Sequence, residues 1–377
     1  WQAPHQVVLS AAYVGSHGEF LPFGSIDLNT ISLEQIARYG YSLCVDPSQP
    51  SCQTVPNTWA PIQPPTNGNS GAATVPLWVA LQKYPQFGNG GYGSGNGVII
   101  NGDPIGYSKY NSLQTKLQKR LTNHFETLVS FTWAKLMTDD YNPPLGFVGS
   151  HGAAPQNTQD LNLEHSVSPQ DVKYQFTGEV SYDLPMGAGR AMNLHGPANA
   201  ALGGWTANTI VYLSTGIPIP SPGSGTPIGY FNQRSNLLCD PAAGAPHTAA
   251  TWINYNCFTA PGVPAGSFDI TQSNPLVPGT APAFLDGVRT AGARDVDISL
   301  YKNFSFGEDR VLRFEVSSYN LFNHAQFGMP NIPSMGGVYS ELQQNPNPAF
   351  GQPTTFGQIT NTVNSPRQFQ FGSRFTF

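Results

Sequence analysis

Few residues in this chain have the types and the spacing of a catalytic or binding motif. Gly88, Gly90 and Gly93 have the spacing of a phosphate-binding glycine loop, but they lie in Gly/Asn-rich sequence without the strand and the helix that such a loop connects. Serine stands beside histidine in the segments 15–18 and 149–152, yet neither serine has the flanking pattern that exposes a hydrolase nucleophile. All three segments are therefore predicted to be loops or turns without catalytic function.

The acidic residues and the histidines also lack the spacing of a reactive site. The chain has 8 histidines, with no HExxH motif and no pair four residues apart, so a catalytic zinc site is not expected. Five histidines lie in or beside long segments that are expected to be loops on one side of the molecule: His17, His151, His165, His247 and His324. For these five, solvated loop positions are favoured over a metal-chelating cluster. Asp139 and Asp140 open an outer loop, and Asp295 and Asp297 alternate onto the wet face of a strand. We therefore favour polar surface over general acid–base chemistry and expect no enzyme, no catalytic residue, no metal and no cofactor.

Four cysteines form two local pairs, Cys44 with Cys52 and Cys239 with Cys257, each within Pro/Gly/Asn-rich sequence. This spacing favours two loop disulfides in an oxidising compartment. Free thiols are one alternative. A metal site made by all four thiolates is another, and it is disfavoured because the chain has no CxxC motif and the spacing is uneven.

The composition excludes two classes of protein. The net charge of -5 leaves no basic stripe for a polyphosphate, so nucleic acid is not an expected partner. No segment approaches the roughly 18 consecutive apolar residues of a membrane helix, and the mean hydropathy is -0.24. A membrane β-barrel is still allowed, because only every second residue of its strands is apolar. The low charged fraction of 10%, with 40 Gly and 34 Pro, favours a β-rich chain with long loops.

Alternation with a period of two predicts eight strands. It is clearest over 172–184 and over the last residues, 367–377, where Phe369, Phe371, Phe375 and Phe377 alternate with Gln and Arg. Six further segments fit the pattern: 6–14, 108–121, 124–136, 205–215, 293–304 and 310–321. Each is close to the roughly 9 to 11 residues of a tilted membrane-crossing strand.

The connections between these strands alternate in length. Long connections span 15–107, 137–171, 216–292 and 322–366, and they are separated by short links at 122–123 and 305–309 and a medium link at 185–204. Because adjacent strands are antiparallel, all the long loops should lie at one end, as in outer-membrane barrels. Seven aromatic residues near strand ends are predicted to form interfacial girdles rather than a soluble core: Trp133, Tyr182, Trp205, Phe304, Phe306, Phe375 and Phe377.

Several phrases resemble the barrel of Oar-like TonB-dependent receptors. The segments 110–120 and 130–135 (YNSLQ with KR, then SFTWAK) are similar to one hairpin of that family, and 182–189 with 202–218 (YDLP, LGGW, STGIP) are similar to its next turn and strand. The strongest likeness is 314–328 (FEV, YNLFNH, FG) together with the terminal Phe377. The resemblance covers most of the chain, and the large loops match only in character.

The resemblance implies an all-β, antiparallel, up-and-down transmembrane β-barrel with long extracellular loops in the bacterial outer membrane. Such receptors use roughly 22 strands. Residues 1–377 are therefore expected to be the C-terminal part of a larger barrel, without its plug, N-terminal domain or TonB box. The chain begins at Trp1, so processing or truncation is expected to have removed a preceding segment.

The resemblance also implies the partners and the roles of residues. The receptor would bind an unknown extracellular ligand at its loops and import it with energy from TonB, which would act through the missing N-terminal regions. Outer-membrane lipid would surround the barrel. Phe369, Phe371, Phe375 and Phe377 would face outward and serve as the signal read by the barrel-assembly machinery. Because the first strand of the receptor is missing, we expect an open or strained edge in preference to an improvised eight-stranded closure.

Two other functions are consistent with the sequence. The first is a structural or adhesive surface barrel that imports nothing. The second is a secreted all-β carbohydrate-active enzyme with aromatics lining a cleft.

Overall fold

A computed structural model describes residues 2–3, 6–23, 25–43, 53–62, 71–87, 98–122, 124–139, 155–158, 160–225, 233–264, 277–306, 310–335, 338 and 355–377. Its centre is one large antiparallel sheet. Eight long strands form it: β1 Val7–Pro22, β2 Pro104–Thr122, β3 Phe125–Thr138, β4 Tyr174–Asp183, β5 Trp205–Ser214, β6 Arg294–Phe306, β7 Arg310–Tyr319 and β8 Gln368–Thr376. Two strands of two residues, Gln2–Ala3 and Ser166–Val167, pair with β1 and β3.

The order of the long strands in the sheet is their order in the chain. This confirms the predicted all-β, up-and-down architecture. The sheet of described residues is open. β8 pairs with β7 on one side, and no described strand pairs with its other side. On the far edge, the short strand Gln2–Ala3 covers β1 only at Val7 and Val8. The predicted open edge at the C-terminal strand is therefore present in this part of the chain.

Cross-strand pairing makes each face of the sheet continuous. One row that crosses six strands is almost entirely apolar: Phe125, Tyr182, Ala207, Leu300, Val316 and Phe371. The adjacent row points to the opposite face and is polar throughout: Glu126, Ser181, Asn208, Ser299, Ser317 and Gln370. The predicted oily and wet faces are thus in register from β3 to β8. We call them the apolar face and the polar face.

The four long connections lie at one end of the sheet and pack together. We call them outer loops 1 to 4 (23–103, 139–173, 215–293 and 320–367) and their assembly the cap. Almost all buried hydrophobic side chains of the described residues belong to the cap, and Ala134 alone lies in a long strand. The largest apolar cluster joins outer loop 3, through residues such as Ile219 and Ile253, to outer loop 4, through Met335 and Phe356. A second cluster, around Ile31, Ile36, Leu43 and Leu77, lies within outer loop 1.

Short regular elements fold the outer loops. Helices α1 (Leu33–Tyr39) and α2 (Leu77–Ala80) lie in outer loop 1, and 3-10 turns span Gly40–Leu43, Ala60–Ile62, Pro85–Phe87, Leu161–Glu164 and Tyr255–Cys257. Five small antiparallel pairs complete the loops: Ser25–Asp27 with Ile99–Asn101, Thr54–Pro56 with Thr74–Pro76, Pro218–Pro220 with Phe284–Arg289, Gly223–Gly225 with Gln233–Arg234, and Asn236–Leu237 with Phe258–Thr259.

The opposite end of the sheet carries the short turns. Its one helix among the described residues, α3 (Gly196–Leu202), lies in the medium link between β4 and β5. The Lys302 ammonium group of β6 donates to the carbonyls of Asn199 and Ala200, at 3.3 and 2.5 Å, and the Trp205 indole donates to the carbonyl of Ala201 at 2.9 Å. Two neighbouring strands therefore anchor this turn. No helix in the described part of the chain is long and apolar enough to cross a membrane.

Two expectations about the first strand need correction. β1 ends at Pro22 rather than at residue 14, and outer loop 1 is correspondingly shorter than predicted. The segment 15–18 is not a loop turn, because Gly15, Ser16, His17 and Gly18 pair in register with β2. Its two glycines and its polar residues concealed this extension, since they break the alternation of apolar residues on which the prediction depended.

Candidate functional site

Within the cap, charged and polar side chains from different outer loops contact one another. A buried ion pair joins outer loops 2 and 3: Arg234 Nη1 donates to Glu164 Oε2 at 2.7 Å. The Glu164 side chain is 2% exposed and that of Arg234 is 9% exposed. The guanidinium also donates to the carbonyls of Ala281 and Leu163, at 2.9 and 2.6 Å. Its charge is therefore matched by three oxygens, which a buried cation requires.

Gln156 completes this connection with its side-chain amide. Its Oε1 accepts from the main-chain N–H groups of Arg234 and Gly279, at 2.8 and 3.0 Å, and its Nε2 donates to the Gly279 carbonyl at 3.2 Å. Its own main-chain N–H donates to the second carboxylate oxygen of Glu164 at 2.8 Å. We call Gln156, Glu164 and Arg234 the inter-loop polar cluster. Position 279 must be glycine, because a Cβ there would collide with the main-chain carbonyls of Arg234 and Ser235.

A second group of ion pairs lies at the base of the cap, where outer loops 2 and 3 meet the outer end of β3. Arg289 donates to the Asp171 carboxylate at 2.6 Å and to its main-chain carbonyl at 2.9 Å. The other carboxylate oxygen of Asp171 accepts from the main-chain N–H of Leu136 in β3 at 2.5 Å. Arg289 also donates to Asp286 at 3.1 Å, and Lys135 donates to Asp286 at 2.8 Å. Outer loops 2 and 3 are thus fixed to the outer end of β3.

The neighbouring cations alter the pKa of the Asp286 carboxyl group. Partial burial of Asp286 raises its pKa, and this is the largest single effect. The hydrogen bond and charge of Lys135, with those of Arg289, act in the opposite direction and together hold the pKa below its ordinary value. Asp286 is therefore ionised at neutral pH, and its link to β3 is intact there.

Other contacts join outer loop 2 to outer loop 1 and to the outer ends of β1 and β2. The Tyr107 ring of β2 packs against His17 of β1 and His165 of outer loop 2, with ring centroids 5.2 and 4.9 Å apart. The hydroxyl groups of Thr30 and Thr158 lie 3.1 Å apart across outer loops 1 and 2. Together with the polar contacts between outer loops 2 and 3, these contacts show that outer loops 1 to 3 share one end of the sheet.

The cysteine prediction is tested for one of its two pairs. Cys239 and Cys257 form the predicted disulfide within outer loop 3, beside the main-chain hydrogen bond from Leu238 N–H to the Cys257 carbonyl, which extends the short pair of Asn236–Leu237 with Phe258–Thr259. Cys44 and Cys52 lie outside the described residues. So do the glycine motif 88–93, the segment 149–152 with His151, and Asp140.

Charged side chains on the polar face pair with polar groups of neighbouring strands. Glu315 accepts from Ser299 at 2.8 Å and pairs with Arg313 at 3.3 Å, and the Arg313 guanidinium lies 3.7 Å from the centre of the Tyr301 ring. Asp297 accepts from the main-chain N–H of Asn320 at 2.9 Å. Asp295 and Asp297 both lie on the polar face, as predicted. Among the residues the structure describes, no group of three or more His, Cys, Asp or Glu could hold a metal ion.

The terminal phenylalanines lie where the alternation places them. Register with β7 puts Phe369, Phe371 and Phe375 on the apolar face, and Gln370 and Arg374 on the polar face. Phe371 is 70% exposed and Phe377 is 91% exposed. Exposed aromatic side chains in this arrangement suit a lipid environment, and the assembly role proposed for them is a separate question.

The other predicted aromatics follow the same face. Trp133 and Tyr174 stack in neighbouring strands near the cap, with centroids 6.4 Å apart. Trp205 and Phe314 meet edge to face, at 6.4 Å, near the opposite end. Two bands of aromatic side chains therefore border the apolar face, which is the pattern of interfacial girdles.

An up-and-down sheet with an exposed apolar face, aromatic bands and all long loops at one end defines an outer-membrane β-barrel protein. A family model described as "Outer membrane beta barrel domain" matches residues 1–370. The chain therefore belongs to this family, and its location is the bacterial outer membrane. A comparison with curated proteins gives no significant match.

Proposed function

We propose that this chain is the ligand-binding C-terminal part of an Oar-like TonB-dependent receptor, and that it has no enzymatic activity. The cap binds an extracellular ligand, and the polar face lines the route along which the ligand is imported. The observation that carries the proposal is the inter-loop polar cluster. A cap with its own apolar cores and buried ion pairs is a rigid surface of the kind that a binding site requires.

Energised import rests on the sequence phrases that resemble Oar-like receptors, since the family match is coarser than that. The same phrases support a role for TonB, acting on regions outside this chain. The terminal strand ending at Phe377 is proposed to be read by the barrel-assembly machinery. Its outward phenylalanines and its one free edge are features that such a signal needs.

The alternative of a surface adhesin has one observation in its favour, because the same rigid cap would also present an adhesive surface. A secreted all-β enzyme is disfavoured, since the family and its membrane location leave no place for a soluble sandwich.

The test uses the bacterium that encodes the protein. Four strains are compared: wild type, a deletion of this gene, a deletion of the TonB gene, and the double deletion. Each grows with iron, cobalamin, peptides or oligosaccharides as the limiting nutrient. The proposal expects a growth defect in the single deletion for at least one nutrient, and no added defect in the double deletion compared with loss of TonB alone.

The cap is then tested by complementation. The variant Arg234→Met should fail to restore growth, whereas Arg190→Met, which removes a partly exposed cation from the turn beside β4, should restore it. If deletion of this gene caused a further growth defect in the strain that lacks TonB, energised import would be excluded. Loss of surface attachment without any nutrient defect would favour the adhesin.

A further inference from the structure

A polar pocket of about 490 Å³ lies on the surface of outer loop 1, between helix α1 and the segment that follows α2. Its volume is typical of small-molecule sites. Eight residues line it: Thr30, Ser32, Glu34, Gln35, Arg38, Leu81, Gln82 and Lys83. All of them except Leu81 have a polar or charged side chain, so the lining suits a ligand that is rich in hydrogen-bonding groups.

The two segments that form the pocket are fixed to each other. Asn29 Oδ1 accepts from the main-chain N–H of Tyr84 at 2.7 Å, and Gln82 Nε2 donates to the Asn29 carbonyl at 3.1 Å. An apolar cluster joins the helices of the same segments, through Ile36 of α1 and Leu77 of α2. The walls of the pocket are therefore preorganised, which lowers the conformational entropy lost on binding.

One buried acceptor in the lining has no partner among the described residues. Gln82 is 4% exposed, and its Oε1 accepts no hydrogen bond from any of them. Reversing the amide would not correct this, because the amide nitrogen donates to the Asn29 carbonyl. A buried amide oxygen without a donor is costly, so an O–H or N–H group of a ligand would stabilise it.

Two cations of the lining are unpaired within the described part of the chain. Arg38 and Lys83 are exposed, and neither makes an ion pair there. Their charged groups lie 5.3 and 5.5 Å from the ring centres of Tyr39 and Tyr84. Glu34 is the one carboxylate among the eight lining residues, and it forms no ion pair with Arg38. The lining therefore has an excess of one positive charge that is open to an anion.

These groups together match one class of ligand. The cations Arg38 and Lys83 pair well with carboxylates. Gln82 Oε1 and the Glu34 carboxylate are acceptors, and they match hydroxyl groups. A peptide would also supply carboxylate and N–H groups, but its side chains would find little apolar surface, since Leu81 is the one apolar residue of the lining. A molecule with both carboxylates and several hydroxyl groups is an acidic carbohydrate.

We propose that this pocket binds an acidic carbohydrate. Its carboxylates pair with Arg38 and Lys83, and one of its hydroxyl groups donates to Gln82 Oε1. The inference rests on the proposed function, in which the cap binds an extracellular ligand, and it names the class of that ligand. Recognition is thereby assigned to outer loop 1, whereas the inter-loop polar cluster joins outer loops 2 and 3.

The test measures binding by isothermal titration calorimetry with the protein purified from outer membranes in detergent. The probes are trigalacturonate, trimannuronate and sialyllactose, each with its methyl ester, which keeps the hydroxyl groups and removes the charge. At least one acid should bind, and its ester should bind about tenfold more weakly or worse, because charge-assisted hydrogen bonds are lost. Failure of all three acids to bind would overturn the proposal, and so would equal binding of acid and ester.

Variants of the lining test the role of each group. Arg38→Gln and Lys83→Gln should each weaken binding about tenfold, and Gln82→Met, which removes the buried acceptor, should weaken it by a similar factor. Lys173→Gln is the matched control and should leave binding unchanged. Lys173 is exposed and lies 5.5 Å from the centre of the Tyr174 ring, the same separation that Lys83 has from its tyrosine, but it is outside the pocket.

The heat-dependent mobility of each variant on a denaturing gel reports whether it is folded. Equal binding by the wild type and by a folded variant that combines Arg38→Gln with Lys83→Gln would overturn the proposal. This inference and the proposed import fail separately. Binding of an acidic carbohydrate without any nutrient defect would support the pocket and reject import, whereas a nutrient defect that depends on TonB, with no binding of the three acids, would reject the pocket and support import.

Discussion

Replacing Arg234 with Met tests whether the cap is a rigid unit. The change removes three hydrogen bonds, to Glu164, Ala281 and Leu163, and leaves the Glu164 carboxylate with the hydrogen bond from the main-chain N–H of Gln156. Because Glu164 is 2% exposed, water cannot replace the lost cation without opening the loop. Breaking a buried pair in this way costs about 3 to 5 kcal/mol.

The cost should appear locally. The Arg234 contacts lie in outer loops 2 and 3, and the β4–β5 hairpin between these loops pairs through its own main chain. Hydrogen exchange of the amides near 156–166 and 233–236 should therefore accelerate by the factor that corresponds to this free energy, about 100-fold or more. Amides of β4 and β5 should exchange as in the wild type.

Two comparisons refine the test. Arg190→Met breaks a partly exposed pair with Asp183 at 3.4 Å and should cost less than about 1 kcal/mol. Combining Arg234→Met with Glu164→Gln removes the unpaired charge and should recover part of the loss. The reasoning is refuted if the single Arg234 variant changes exchange in the loops no more than Arg190→Met does, or if protection of β4 and β5 falls to the same extent.

Three further predictions concern separate parts of the chain. Cys239→Ser should lower the local free energy of unfolding of outer loop 3 by about 2 to 4 kcal/mol, measured by hydrogen exchange, and an unchanged loop would contradict the role of the disulfide. Phe377→Ser should lower the level of the protein in outer-membrane fractions; undiminished assembly would exclude the proposed signal. The pKa of Asp286 is held below its ordinary value, so the links that it makes to Lys135 and Arg289 are fully present above the unfolded pKa of about 4 and are lost as the pH falls through the lower folded pKa. Protease cleavage within outer loop 3 should therefore increase at acidic pH, and Asp286→Asn should remove that dependence.

The sheet could be predicted because each strand repeats a simple pattern. Residues 172–184 alternate so regularly that β4 was predicted within two residues at each end. The end of β1 could not be predicted, because beyond Val14 apolar and polar residues no longer alternate along the strand. Strand pairing there is maintained by main-chain hydrogen bonds, which leave no mark on the sequence.

The cap was much less accessible to prediction. Its apolar clusters bring together distant segments, such as those that contain Ile219 and Met335, and no local period encodes this packing. The sequence analysis did not predict that Gln156, Glu164 and Arg234 form a cluster. The one available signal was that charged residues are scarce in this chain, at 10%. A charged residue within an apolar loop could therefore be expected to pair with another charged residue. The local spacing of Cys239 and Cys257 made their disulfide predictable.

The inter-loop polar cluster also constrains the order in which the molecule can be built. Gln156 precedes the β4–β5 hairpin in the chain and Gly279 follows it, yet their hydrogen bonds join them across a separation of 123 residues. Both ends of that bond lie on the extracellular side, so the hairpin between them must already cross the membrane before the bond can form. The contacts between the long strands, by contrast, join strands that follow one another in the chain. Assembly therefore ends with the cap, and a barrel protein caught partway would carry complete hairpins beneath unfolded loops.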